Sequence, residues 1–190
     1  MKMEIKCNFR QELETERLYL KNWQTSFAKD MYNNWATDKE VVKFLSWEPH
    51  KNIEETMQII SMWIAEANYN WCIVEKSTNQ AIGSINVVRK SDRDFWCEVG
   101  YCSSKKVWNR GYMTEALKAV INFLFSEGYY KVQLLHAKEN IASGRVMQKA
   151  GMTFQGESKA ASYVRGKFHD CNVYYALNPN IKLDKNNIVK

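Results

Sequence analysis

Proline is nearly missing from this chain: Pro49 and Pro179 are the only two in 190 residues, and there are only 8 glycines. With no Pro- or Gly-rich stretch and no internal repeat, nothing marks a linker. The expectation is one domain over residues 1–178, followed by a polar tail over 179–190. Long apolar runs are missing as well. No eighteen consecutive apolar residues occur, and Met1-Lys2-Met3-Glu4-Ile5-Lys6 holds no run of signal-peptide length, so no membrane association is expected. Cysteine is sparse and odd in number. Cys7, Cys72, Cys97, Cys102 and Cys171 are too widely spaced for a disulfide framework or a zinc site, so no metal is expected. Reduced thiols point to a cytoplasmic protein. A basic run is also lacking. Lys and Arg total 27 against 21 Asp and Glu, for a net charge of +6, but the cations are scattered and often sit beside acids. No nucleic-acid partner is expected, and the excess is read as solubility with some steering of an anionic ligand.

What the chain has in quantity is aromatic side chains, 13% of its residues. They fit a large core, or an aromatic-lined pocket or interface, and a homodimer is compatible with them. The periodicity predicts a strand from about Thr15, where Leu18 and Leu20 alternate with Arg17, Tyr19 and Lys21. Helices are predicted over 26–35, over 39–45 with Asp38 as its cap, and from Asn52 to about Ala67, with Ile53, Met57, Ile60 and Ile64 at helical spacing. Three strands over 71–75, 81–88 and 95–101, joined by short polar turns, read as an antiparallel meander. A helix over 111–127 ends at Gly128, a strand covers 132–135, and a helix over 141–150 stops at Gly151. Two last strands, 153–164 and 167–177, hinge at Arg165-Gly166. The expected architecture is α/β: a mixed, mostly antiparallel sheet of about seven strands flanked by helices.

The run Trp108-Asn109-Arg110-Gly111-Tyr112-Met113-Thr114 joins a strand to a helix. At a helix start the first backbone N–H groups lack partners and the dipole is positive, so the site favours an anion. Gly111 lets a phosphate approach the backbone closely, and Arg110 adds charge-assisted donors. A pyrophosphate is the natural ligand, and an ordinary helix start with a turn glycine is the alternative.

This run resembles the acetyl-CoA loop of the GNAT acetyltransferase superfamily, in particular the branch of ribosomal-protein N-terminal acetyltransferases (RimJ/RimL-like). Four other stretches resemble the same branch: Glu98-Val99-Gly100-Tyr101, the stretch from Asn140 to Met152, the opening Glu14-Thr15-Glu16-Arg17-Leu18-Tyr19-Leu20, and the ending Asp170-Cys171-Asn172-Val173-Tyr174-Tyr175-Ala176-Leu177. The resemblance covers residues 12 to about 178. It implies a GNAT-like acyl-CoA N-acyltransferase fold and acetyl transfer from acetyl-CoA, as cosubstrate, to an amine acceptor, either a protein N-terminus or a small molecule, by direct attack in a ternary complex. Two positions depart from the family pattern. Met113 stands where a smaller residue is usual, and Met147 stands where many members carry a tyrosine that protonates the departing thiolate.

Acyl transfer from a thioester to an amine needs a base for the ammonium proton, a donor for the thioester oxygen and an acid for the thiolate. Glu98, on the strand the resemblance expects to splay around the acetyl group, is the candidate base. Ser143 is the candidate partner of the sulfur, and Asn140 the cap that orients the cofactor amides. Tyr101, Cys102 and Ser103 would offer backbone groups to the pantetheine arm. No histidine is placed to activate Cys102 as a nucleophile. His136 reads as structural, while His169 and Asp170 face opposite sides of a strand. Trp35, Phe44, Trp47 and Trp63 are candidates for shaping an acceptor pocket, with core packing as their alternative. A non-catalytic CoA-sensing module and an RNA- or ribosome-associated binding protein are the rival functions.

Overall fold

The computed structural model describes residues 3–184 and 186. The end of the expected tail, beyond residue 186, therefore lies outside the described residues. Strands β1 (Leu13–Glu14) and β2 (Leu18–Lys21) open the chain. Helices α1 (Ala28–Met31), α2 (Lys39–Val42) and α3 (Ile53–Ala65) follow. Strands β3 (Asn70–Glu75), β4 (Gln80–Ser91) and β5 (Trp96–Ser103) form the meander. Helix α4 (Tyr112–Ser126), strand β6 (Lys131–Ala137), helix α5 (Ile141–Lys149) and the hairpin β7 (Thr153–Val164) and β8 (Lys167–Leu177) complete it.

The eight strands run in the order β1-β2-β3-β4-β5-β6-β8-β7. The expected count of about seven lacks β1, two residues paired to Leu20 and Tyr19 of β2. Every neighbouring pair is antiparallel except β5 and β6. The predicted helix over 26–35 is a second departure. It is a 3-10 turn at Thr25–Phe27, the short α1, and a π-helical stretch at Tyr32–Ala36. The 39–45 helix is likewise only the four residues of α2, capped as expected by Asp38, whose side chain accepts from the Glu40 N–H.

Side-chain alternation divides the core between the two faces of the sheet. Leu18, Leu20, Trp71, Ile73, Ile85, Val87, Cys97, Val99, Val132 and Leu134 point to one face. There they meet Ala116, Leu117, Val120, Ile121 and Leu124 of α4, together with Met147 of α5. Burying one such aliphatic side chain contributes roughly 1.5–3 kcal/mol, so this face carries most of the stabilisation. On the opposite face α1–α3 lie mainly over β3 and β4, where Met31, Trp35, Ala36 and Ile60 pack on Cys72, Val74 and Ala81, with Tyr19 of β2 and Cys102 of β5 at the margin. Thr56 and Ile60 are the buried positions of α3, while Met57, read as part of its apolar stripe, is exposed. Among the described residues, the second face of β6, β8 and β7, and of β5 around Glu98, therefore has no helix packed over it.

Candidate active site

Strands β5 and β6 pair for only three residues: Trp96 with Lys131, Cys97 with Val132 and Glu98 with Gln133. Beyond that, β5 stays with β4 up to the Ser103–Gly83 pair, and β6 stays with β8 up to Ala137–Cys171. Each is held by its antiparallel neighbour, so the two part at Val99 and Leu134. The sheet opens into a split whose closed end is the Glu98–Gln133 pair.

The expected anion site lies at the mouth of the split. Gly111 is the N-cap of α4, with φ of 80°, and Asn109 has φ of 62°. Two left-handed residues so close together curl the loop and turn successive N–H groups the same way, a concave arrangement suited to an anion. Among the described residues, the N–H groups of 109–114 meet no protein acceptor; the next, Glu115 N–H, donates to the Gly111 carbonyl at 3.0 Å. Trp108 Nε1 donates to the Ser103 carbonyl at 3.1 Å and ties the loop to the end of β5.

Two contacts anchor the first turn of α4. Glu115 accepts from Thr15 Oγ1 (2.6 Å), Arg17 N–H (2.8 Å) and Arg17 Nε (2.7 Å). Burial opposes its ionisation, but these donors and the Arg17 charge outweigh it and hold the carboxyl below its usual range. Arg17 Nη1 also reaches the Arg110 carbonyl at 3.0 Å, and its guanidinium lies over the Tyr112 ring. The Tyr112 hydroxyl donates to Glu75, whose carboxyl this bond and a second from Thr78 keep low. The sequence placed Arg17 in the first strand and in the opening motif, with no role at the loop. Its place beside the loop comes from the pairing of β2 with β3, which local patterns do not encode.

Glu98 sits at the closed end of the split and points to the helix-free face. Its side chain is 11% exposed, accepts from Gln133 Nε2 at 3.1 Å, and has Arg89 Nε at 4.0 Å. It lines an open trough of about 550 Å³ with Gln133, Leu135 and Val173, bounded by Gln155, Ser158 and Ala161 of β7. The other face holds a hydroxyl pair. Asn140 caps α5 by accepting from the Ser143 N–H at 3.3 Å. The Tyr101 hydroxyl lies 3.0 Å from both Ser143 Oγ and the Ser143 carbonyl. Tyr101 was singled out for its backbone alone; its phenol bridges the split from β5 to the first turn of α5. Burial pushes that phenol's pKa up, so it stays protonated. Met147, 1% exposed, is a core residue on the buried face of α5.

Cys102 faces away from Tyr101, with Sγ 3.3 Å from Ser84 Oγ, and burial pushes its pKa up to about 11. Such a thiol is a poor nucleophile near neutral pH. His136 is buried under α5; a Cβ on Gly144 would come within 2.6 Å of its Nε2, so Gly144 is what lets the helix sit on β6. His169 is buried against the Phe44 ring, and Asp170 faces the other way toward Lys159. Trp35, Trp47 and Trp63 belong to the packing between α1–α3 and the sheet, the Trp47 carbonyl also accepting from Arg165, whereas Phe44 lies against His169 of β8. Among the described residues no helix is long and apolar enough to cross a membrane.

Residues 17–153 match the acetyltransferase (GNAT) domain family. The uncharacterized N-acetyltransferase YoaA of Bacillus subtilis is 26% identical over 172 residues, covering 88% of this chain and 97% of that protein. A GNAT-family acetyltransferase from Bacillus anthracis superposes with a TM-score of 0.80 at 22% identity, covering 88% of this chain and 99% of its own. The microcin C7 self-immunity acetyltransferase MccE, solved with acetyl-CoA and AMP, superposes with a TM-score of 0.78 at 17% identity, covering 93% and 97%.

Proposed function

Since the chain belongs to the GNAT acetyltransferase family, we propose that it transfers the acetyl group of acetyl-CoA to a primary amine by direct attack within a ternary complex. The observation that carries this reading is the split itself. It has unpartnered N–H groups at one end, a buried carboxylate at the other, and a hydroxyl pair on the opposite face. MccE, which shares the fold, is solved with acetyl-CoA.

In this reading the N–H groups of 109–114 and the Arg110 side chain hold the pyrophosphate, and Tyr101, Cys102 and Ser103 line the pantetheine arm along β5. The acceptor comes from the trough on the helix-free face. Glu98 takes the ammonium proton, directly or through one water, because only the neutral amine carries the lone pair that attacks. As the C–N bond forms and the C–S bond breaks, the Tyr101–Ser143 pair supplies a proton to the sulfur, and the second proton that the nitrogen sheds on becoming an amide returns to that pair through water. That phenol does from β5 what a tyrosine at position 147 does in many members of the family. The acceptor is a peptide N-terminus or a small polar amine, which fits a trough lined by Glu98, Gln133, Gln155 and Ser158.

Calorimetric titration with acetyl-CoA, with Gly111→Glu as control, tests the cofactor half. Saturable binding that the variant loses is expected, and an acetylation screen of amines and unblocked peptides then follows. Failure of the unmodified protein to bind acetyl-CoA would sink the reading.

A further inference from the structure

The tip of the β7–β8 hairpin is a two-residue turn, Arg165-Gly166, with φ of 47° and 78°. A turn with both central residues left-handed favours Asn or Asp before Gly. A long side chain there bears a steric cost. The position of the Arg165 side chain accounts for its presence. Nη1 donates to the Val42 and Lys43 carbonyls at 3.0 Å each, and Nη2 donates to the Trp47 carbonyl at 3.0 Å. Nε lies 3.0 Å from Glu48. The Val42 carbonyl, which already accepts from the Leu45 N–H, takes a second bond from the guanidinium, and the carbonyls of Lys43, the C-cap of α2, and Trp47 take the rest of the fork.

These contacts fasten the 42–48 stretch of the helical layer to the hairpin. A second contact lies beside them, the Phe44 ring edge-on to His169 with centroids 6.1 Å apart, and Val164 next to the turn is buried. The trough that Glu98 lines extends along β7 to Ala161, and β7 ends at Val164, next to the Arg165 turn. The segment held by Arg165 therefore reaches from the α1–α3 layer to the hairpin at that end of the trough.

We infer that Arg165 is a positioning residue for the acceptor: it clasps the 42–48 segment to the hairpin, closing that end of the trough and setting how an amine approaches Glu98. The inference rests on the reading of the trough as the acceptor side. Arg165 touches neither the split nor the loop at Gly111, so its role is confined to the acceptor.

Arg165→Asn tests this without endangering the fold, since Asn-Gly suits the turn better than Arg-Gly while removing all four contacts. Two readouts are taken. Hydrogen exchange follows the amides of Leu45 and His50, which donate to Val42 and Ala36. Steady-state kinetics use acetyl-CoA with an unblocked hexapeptide and, in parallel, spermidine. Exchange at those amides is expected to rise about tenfold, and the acceptor KM about tenfold, for the loss of charge-assisted bonds, with kcat and acetyl-CoA affinity within about twofold. Arg165→Lys, a point charge without the fork, is expected to leave KM raised. Unchanged exchange overturns the clasp. Raised exchange with an unmoved KM, or equal loss of kcat and acetyl-CoA affinity, overturns its role toward the acceptor. If the unmodified protein acetylates neither amine, the proposed acceptor class fails, and exchange alone still decides whether Arg165 holds the segment.

Discussion

Tyr101 and Cys102 are neighbours on β5 and face opposite sides of the sheet, so one strand presents a phenol to α5 and a thiol to Ser84. Burial raises the pKa of both, which keeps the phenol and the thiol protonated near neutral pH. Cys7, which is exposed, is expected to alkylate with iodoacetamide near neutral pH well before Cys102; equal rates measured by mass spectrometry would show that Cys102 is not shielded. Glu98→Gln is expected to lower kcat about a hundredfold with little change in acetyl-CoA affinity, the usual scale for a lost general base. An unaltered kcat would remove Glu98 from the chemistry. Ser143→Ala and Tyr101→Phe should each slow turnover. Because the two hydroxyls act as a pair, the double variant is expected to be no slower than the slower single one. Fully multiplicative losses in single-turnover rates would mean that they act separately.

At the scale of elements, the first turn of α4 is an electrostatic joint. Glu115 has its pKa lowered despite burial, by Thr15 and Arg17. A lowered carboxylate pKa adds stability above the unfolded value, about 4.3, and that contribution is lost as pH falls through the folded value. Urea midpoints followed from about pH 6 down to about pH 3 should therefore drop more steeply in the unmodified protein than in Glu115→Gln, which lacks the titration. Parallel curves would show that the joint carries no linkage. The seat of α5 is steric. Gly144→Ala brings a methyl within 2.6 Å of His136, both ends being packed, and is expected to cost about 1–3 kcal/mol as overpacking. It should also displace Ser143 from Tyr101. A melting temperature and turnover equal to those of the unmodified protein would mean that the helix shifts freely.

For the whole molecule, the proposed cosubstrate site depends on folding, because the split exists only while β5 and β6 are held by different neighbours. A ligand that binds only the folded state stabilises it by mass action, by about 2.7 kcal/mol at a hundred times its Kd. Acetyl-CoA is therefore expected to raise the melting temperature of the unmodified protein and not that of Gly111→Glu.

The local devices were written in the chain itself. Arg165-Gly166 set the ends of β7 and β8, Gly128 and Gly151 stopped their helices, and Asp38 and Asn52 capped theirs, because each acts within a few residues of its own backbone. The loop from Trp108 to Thr114 was legible for the same reason, since a glycine opening a helix creates its free N–H groups locally. The irregular turns over 25–36 were not, because the apolar spacing of a π stretch resembles that of an α-helix until the packing against Ala81 selects between them. The partners of the site residues were hidden more deeply. Arg17 with Glu115, Tyr101 with Ser143 and Arg165 with the end of α2 join positions 98, 42 and more than 110 residues apart. No periodicity spans such separations. Strand order and register bring these residues together, so only the tertiary structure decided which side chains meet across the split.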